Sequence, residues 1–207
     1  MPRLFTALEI PRDAARSLAF LRGGLSGARW IDAANYHITL RFIGDVDFRT
    51  ADEFANALSR IERGPITIRL NGLDVFGGNK PHSIHACIER SKALAGLQGE
   101  QERIAQRIGL KPDSRKFVPH VTLARLRGAK PADIANYLSL RGLFSTPPFT
   151  ATGFVLFSAR DSVGGGPYVA EQRFALTQRG RAESMALYEH DEGNTAATRE
   201  NHLGRQT

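Results

Sequence analysis

The chain of 207 residues is long enough for one domain of ordinary size, or for two small lobes around a shared core. Hydrophobic residues make up 42% and charged residues 24%, which is typical of globular proteins, and no stretch approaches the ~20 apolar residues of a membrane span. The formal net charge of +7 favours a polyanionic partner, but the basic residues are scattered, so charge alone does not identify one. A single cysteine, Cys87, excludes an internal disulfide, and we expect a cytoplasmic protein in which Cys87 is a small buried residue.

The first half of the chain alternates between patterns typical of strands and of helices. Strands are predicted by period-two hydrophobicity and helices by apolar residues three or four apart. The predicted elements are a strand over 3–10, a helix over 11–25, a strand over 35–46, a helix over 48–63 and a strand over 66–76.

The second half repeats this order. A strand over 83–89, a helix over 91–110, a strand over 117–125, a helix over 131–143 and a strand over 149–160 are predicted, followed by one further strand over 168–178. The repeated order predicts an internal duplication of a βαβ-type unit within a single bilobal domain over 1–178. The polar segment 179–207 lacks periodicity, and we expect a disordered tail; the glycine-rich 161–168 is expected to be a mobile turn rather than a phosphate-binding loop.

Two of the predicted strands carry the same pattern of polar residues. "YHITLRFIG" contains His37 and Thr39, and "FVPHVTLAR" contains His120 and Thr122. Side chains two apart on a strand point to the same face, so each histidine shares a face with its threonine while the apolar neighbours point to a core. If the two strands are neighbours, one cleft receives two imidazoles and two hydroxyls.

This set of groups suits phosphoryl chemistry without a metal. Two imidazoles with an unperturbed pKa near ~6.5 can serve as acid and base at neutral pH, and threonine hydroxyls can donate to phosphate oxygens. Either motif alone would more often be structural, but the chain has only 6 histidines, and the repeated pattern favours function. Metal binding is the alternative, although no carboxylate or cysteine stands at matched spacing and two histidines alone make a poor zinc site.

The residues around both motifs also resemble a known family. "RWIDAANYHITLRFIGDV" and "RKFVPHVTLARLRG" look like the two H-x-T-x motifs of the 2H phosphoesterase superfamily. Within it they are most similar to the RNA 2′,3′-cyclic phosphodiesterases, historically called 2′-5′ RNA ligases, over about residues 3–178. The resemblance implies an α+β fold with two pseudo-symmetric β-sheet lobes and outer helices around a central groove. It also implies hydrolysis of a terminal 2′,3′-cyclic phosphate on RNA to a 2′-phosphate, without a metal or cofactor.

The resemblance assigns roles that the motifs alone leave open. It makes His37 the proton donor to the leaving 3′ oxygen and His120 the base that activates water. Thr39 and Thr122 match phosphate-binding threonines, and Arg125 matches a basic residue that follows the second motif.

Strand alternation conflicts with the last of these assignments. Arg125 is five residues from His120, which places it on the opposite face, whereas Arg41 is four residues from His37 and shares its face. Both arginines are therefore candidates for phosphate contact, with Arg125 preferred on the resemblance. Alternation also places Phe42, a candidate for stacking on a nucleobase, on the core side. His82 is expected on a turn surface, and His85 is left open as a groove residue.

Two alternatives to this function are kept. One is a 2H relative that acts on a small cyclic nucleotide or a 2′-5′ linkage, and the other is a non-catalytic module that binds RNA ends. The expected partner is RNA with 2′,3′-cyclic phosphate ends, such as tRNA fragments or oligonucleotides. We expect a monomer with no membrane association.

Overall fold

The computed structural model describes residues 3–159 and 166–177. The described residues form four α-helices and ten strands, with one 3₁₀ turn at Ala33–Asn35. In order they are β1 (Arg3–Glu9), α1 (Arg12–Ala19), β2 (Ala28–Trp30), β3 (His37–Asp45), α2 (Phe48–Leu58), β4 (Ile66–Ile68), β5 (Leu70–Phe76), β6 (Ser83–Ile88), α3 (Lys92–Arg107), β7 (His120–Leu126), α4 (Pro131–Arg141), β8 (Phe149–Ala151), β9 (Gly153–Ser158) and β10 (Val169–Ala175). The prediction for 179–207 lies outside the described residues, as does most of that for 161–168.

Local sequence signals explain where the helices begin. The side chain of Asp47 accepts a hydrogen bond from the backbone N–H of Thr50 at 2.8 Å, which caps α2. Ser91 caps α3 in the same way through the N–H of Leu94 at 3.3 Å. Pro131 stands in the first turn of α4, where its missing N–H costs nothing. Among these and the other described helices, none has the length and apolar character that a membrane span requires.

One antiparallel sheet joins most of the strands, in the order β10-β9-β1-β3-β7-β6-β5, with β2 paired to the end of β7. The two motif strands, β3 and β7, are therefore neighbours at its centre. The two strands pair at one position, where Ile38 lies opposite Val121. The sheet thus has two parts that meet at this pair, one formed by β10, β9, β1 and β3 and the other by β7, β6, β5 and β2.

The strand neighbours differ from the expectation that each lobe is one half of the chain. Strand β9, from the end of the described chain, lies between β1 and β10, while β2, from the first half, lies beside β7. All strand pairs of the described residues are antiparallel, unlike those of a parallel βαβ unit. Alternation of apolar and polar residues shows which face of a strand is buried, but not which strand lies beside it. The order of the strands in the sheet could therefore not be predicted from the sequence.

Two predicted strands are each divided in the structure. The strand predicted over 66–76 is interrupted at Arg69, and that over 149–160 is interrupted at Thr152. The two breaks are related, because the short strands β4 and β8 pair with each other in a separate two-stranded sheet. The strand β2 was not predicted.

Candidate active site

The pairing of β3 with β7 brings both H-x-T motifs to one place. Because Ile38 lies opposite Val121, the antiparallel register directs His37 toward Thr122 and Thr39 toward His120. All four polar side chains are half-buried. The intervening apolar residues, by contrast, are at most 3% exposed and form the core beneath them: Ile38, Leu40, Val121 and Leu123. The cleft expected from the sequence is therefore present in the structure.

Both histidines are held by the same backbone contact. Nδ1 of His37 lies 2.8 Å from the carbonyl oxygen of Asn35, and Nδ1 of His120 lies 2.7 Å from that of Val118. A carbonyl oxygen only accepts, so each Nδ1 carries a proton and donates it. This contact fixes the ring orientation and the tautomer, and it leaves Nε2 of each ring free to exchange a proton with a bound molecule.

A β-bulge follows the first motif. On β1 and β3, Ala7 lies opposite Thr39 and the next residue, Thr6, lies opposite Arg41. Leu40 is therefore an extra residue in β3. A bulge of this kind shifts the alternation of side chains, so the residues that follow it, Arg41 and Phe42, move to the other face.

The second motif carries the corresponding bulge. On β6 and β7, His85 lies opposite Thr122 while its neighbour Ile84 lies opposite Ala124. Leu123 is the extra residue here, at the same distance from its histidine as Leu40 from His37. The two motif strands thus share a backbone irregularity as well as a sequence pattern.

The bulge places Arg125 on the groove face, which resolves the conflict between the resemblance and strict alternation. Arg125 is exposed, and its positive charge contributes to lowering the pKa of both His37 and His120. Its guanidinium therefore acts on both imidazoles.

Arg41 was predicted to share the face of His37, and this prediction is wrong. The bulge at Leu40 turns Arg41 to the opposite face, where it is 6% exposed. Its Nε lies 2.5 Å from a carboxylate oxygen of Glu102 on α3, and the guanidinium also donates to the carbonyls of Phe42 and Lys111. Arg41 therefore ties β3 to α3 and is unavailable to a phosphate in the groove.

Phe42 was predicted on the core side, and this prediction is also wrong. The same bulge returns Phe42 to the groove face, where it is 47% exposed. Its ring centroid lies 5.9 Å from that of Phe5, and the guanidinium of Arg115 lies 5.8 Å above the ring. An exposed aromatic ring flanked by a guanidinium is a surface on which a nucleobase can stack.

His37 lies among aromatic rings that the sequence did not single out. Its ring centroid is 5.1 Å from that of Phe5 and 5.1 Å from that of Tyr168, which meets it edge-on. Burial lowers the pKa of His37; the carbonyl of Asn35 works against this shift, and the charges of His120 and Arg125 add to it. A cavity of about 500 Å³ opens beside the ring between α1 and Tyr168.

His120 has a different environment. Its ring meets Phe76 at 4.7 Å and His85 at 5.1 Å between centroids, and His85 in turn stacks on Phe76 at 4.0 Å. Burial lowers the pKa of His120; the bond to Val118 opposes this shift, and the charge of Arg125 adds to it. Burial, followed by the charge of His120, lowers the pKa of His85 to about 4, so His85 is neutral at pH 7.

The structure also places the remaining histidine and cysteine candidates. His85, left open by the sequence, lines the groove opposite Thr122 and is 2% exposed. His82 is exposed, as predicted. Cys87 is half-buried rather than fully buried, because it lies opposite His120 on the groove face. Burial raises the pKa of its thiol.

A model of the LigT-like phosphoesterases matches the chain in two segments, residues 8–85 and 88–168, each with one H-x-T motif. The chain belongs to this family. The RNA 2′,3′-cyclic phosphodiesterase of Aeropyrum pernix is 36% identical over 102 residues, 48% of this chain and 58% of that protein. The enzyme of the same name from Bacillus subtilis is 30% identical over 130 residues, which are 60% of this chain and 71% of that protein. In these comparisons the matched part of the chain covers between about half and seven-tenths of the length of each relative.

Solved structures share the fold. Escherichia coli LigT complexed with 3′-AMP is 25% identical, with a TM-score of 0.69 over 86% of this chain and 100% of that one. A protein of Thermus thermophilus is 20% identical and has a TM-score of 0.72 over 86% of this chain and 99% of that one. The predicted two-lobed α+β fold of a 2H phosphoesterase is confirmed.

Proposed function

We propose that this protein hydrolyses terminal 2′,3′-cyclic phosphates on RNA to 2′-phosphates, by metal-independent acid–base catalysis through His37 and His120. One observation carries the proposal: two imidazoles face one groove, each with Nδ1 held by a backbone carbonyl and Nε2 free. The activity named for the relatives in A. pernix and B. subtilis supports the substrate.

The reaction follows from these groups. Nε2 of His120 accepts a proton from water, which attacks phosphorus in line with the bond to the 3′ oxygen. Nε2 of His37 donates its proton to that oxygen as the bond breaks. The hydroxyls of Thr39 and Thr122 and the guanidinium of Arg125 stabilise the charge on the non-bridging oxygens. The direction of transfer is the one the family resemblance implies.

The lowered histidine pKa values suit this division of work. A neutral His120 is available as a base at pH 7, whereas His37 has to carry a proton before it can donate one. A bound phosphate anion supplies a negative charge beside His37, and that charge favours the protonated imidazole. Substrate binding itself therefore favours protonation of His37, the acid. Because the reaction needs a protonated His37 and a neutral His120, the mechanism predicts a bell-shaped dependence of rate on pH.

The surroundings of the two histidines suit a single-stranded RNA end. Phe42 and the guanidinium above it offer a stacking surface, which proteins use for unpaired bases. The cavity beside His37 has a volume within the range of ligand pockets. The net charge of +7 attracts a polyanion. We extend the proposal to tRNA fragments or oligonucleotides as substrates, and to a cytoplasmic monomer.

A direct assay tests this function. An oligonucleotide ending in a 2′,3′-cyclic phosphate is incubated with the protein in excess EDTA, and phosphorus NMR identifies the product isomer. We expect a 2′-phosphate, formed at least as fast with EDTA as without it. Absence of turnover, its loss in EDTA, or a 3′-phosphate product would contradict the proposal. Equal efficiency on a 2′,3′-cyclic mononucleotide would favour the small-nucleotide alternative, and binding without turnover would favour the RNA-end-binding module.

A further inference from the structure

Three side chains of the kinds that bind metals converge on the groove face, on the two strands that follow the strand of His120 in the sheet. Asp74 on β5 lies directly opposite His85 on β6, and Cys87 follows two residues later on the same face. A carboxylate oxygen of Asp74, a ring nitrogen of His85 and Sγ of Cys87 all lie within 4.8 Å of one another. The pattern is invisible along the sequence, because Asp74 meets the other two residues only when β5 pairs with β6.

The buried member of this cluster needs a partner. His85 is 2% exposed, yet its Nδ1 has no hydrogen-bond partner within the described part of the chain. A buried polar nitrogen left unsatisfied costs free energy, and native structures rarely tolerate one without a reason. A cation bound to the imidazole would satisfy the ring.

The other two members are available as ligands. Cys87 is a free thiol at the edge of the groove. Asp74 is exposed, and one of its oxygens accepts a hydrogen bond from the N–H of Val75 at 2.7 Å. This bond orients the carboxylate and leaves its second oxygen for another contact.

We propose that Asp74, His85 and Cys87 bind Zn²⁺ in the wall of the groove, and that the bound ion inhibits the enzyme. A thiolate, an imidazole and a carboxylate are all zinc ligands, whereas Mg²⁺ and Ca²⁺ select oxygen. Zinc bonds of ~2.0–2.3 Å in a tetrahedron bring ligand atoms to roughly 3.3–3.8 Å from one another. Rotation of the exposed Asp74 side chain and of the half-buried Cys87 side chain can close the remaining gap of about an ångström.

Inhibition follows from the position of the cluster and rests on the proposed function. Cys87 lies opposite His120, and the rings of His85 and His120 are in edge-on contact at 5.1 Å between centroids. Three protein ligands leave a fourth tetrahedral position open toward the groove, where an oxygen of the bound phosphate can occupy it. A phosphate held by the ion is displaced from the in-line position between His37 and His120 that hydrolysis requires.

Cobalt titration tests the binding site independently of activity. Metal-stripped protein is titrated with Co²⁺, and thiolate-to-cobalt charge-transfer absorption is followed in the near ultraviolet. We expect saturation at one equivalent, complete loss of this absorption in Cys87→Ser, and affinity lower by roughly tenfold or more in Asp74→Asn. His82→Asn removes an exposed histidine outside the cluster and should match the parent protein. Absence of the absorption at one equivalent, or an affinity unchanged in Asp74→Asn, would overturn the site.

Zinc inhibition tests the consequence. Hydrolysis of the cyclic-phosphate oligonucleotide is measured over a range of Zn²⁺ concentrations in the parent protein, Cys87→Ser and His82→Asn. Loss of activity in the parent and in His82→Asn, with the inhibitory concentration raised roughly tenfold or more in Cys87→Ser, is the expected result. Equal sensitivity of Cys87→Ser would overturn the inhibitory role. A protein without any turnover would instead refute the proposed function, and the cobalt titration would still decide the binding site.

Discussion

The two groove histidines share a backbone contact but differ in their neighbours. Because Nδ1 donates to a carbonyl in both, each Nε2 accepts a proton when the ring is neutral and donates one when it is charged. His37 contacts Phe5 and Tyr168, whereas His120 contacts Phe76 and the neutral His85. The local environment, and not the motif, therefore distinguishes the two rings.

Arg125 provides a prediction at the scale of a single residue. In Arg125→Gln we expect kcat/KM to fall by ~10²–10³, because a cation that stabilises phosphate oxygens is lost. The positive charge of Arg125 disfavours the protonated form of both imidazoles. Its removal raises both histidine pKa values, so the pH profile of kcat/KM should shift to higher pH. Arg127→Gln, an exposed arginine just beyond β7, is the matched control and should leave the profile unchanged. A profile that stays in place in Arg125→Gln would show that Arg125 does not act on the histidines.

At the scale of the elements, the bulges at Leu40 and Leu123 determine what reaches the groove. The sequence predicted the face of each histidine, threonine and intervening apolar residue, because the strands are regular that far. It failed at Arg41 and Phe42, because alternation assumes an unbroken ladder. Neither bulge is marked by a glycine or another local signal, since both extra residues are ordinary strand leucines. The resemblance to known enzymes, which selected Arg125, agrees with the exposed position of this residue, whereas periodicity placed it on the opposite face.

The buried ion pair between β3 and α3 gives a prediction at this scale. Glu102→Gln leaves the guanidinium of Arg41 without its counter-charge, and we expect a loss of about 3–5 kcal/mol in the free energy of unfolding. The double variant Arg41→Met with Glu102→Leu removes both charges and should recover at least half of that loss.

The same double variant tests whether Arg41 contacts substrate. Because Arg41 lies on the face away from the groove, we expect the double variant to keep the kcat and KM of the parent protein. Urea unfolding and steady-state kinetics on the same preparations measure the two effects separately. A large fall in kcat/KM in a folded double variant would restore Arg41 as a phosphate contact.

At the scale of the whole molecule, two sequence repeats are combined in one interleaved sheet. The order of elements predicted the repeat, and the family model finds it in 8–85 and 88–168. The strand order was not predictable, since β9 pairs with β1 across more than 140 residues of chain. Such pairing is decided by packing between distant segments. The cluster of Asp74, His85 and Cys87 was missed for the same reason.

The overall charge leads to a prediction about salt. A net charge of +7 should strengthen the binding of an oligonucleotide more than that of a single cyclic nucleotide. Each phosphate neutralised on a single strand contributes about −0.7 to the slope of log affinity against log salt concentration. We therefore expect kcat/KM for an oligonucleotide to fall as salt rises, while that for a 2′,3′-cyclic mononucleotide changes little. Equal slopes for the two substrates would indicate that only the terminal nucleotide is bound.

The central claim is that His37 acts as the acid and His120 as the base. On an ordinary cyclic phosphate, His37→Ala and His120→Ala should each lose ~10²–10⁴ in kcat, and both should keep the circular dichroism of the parent protein. The decisive measurement replaces the bridging 3′ oxygen of the substrate by sulfur, because a thiolate leaves without being protonated. We predict that His37→Ala regains most of the parent rate on this substrate and that His120→Ala does not. Rescue of His120→Ala instead, or of neither variant, would contradict the assignment.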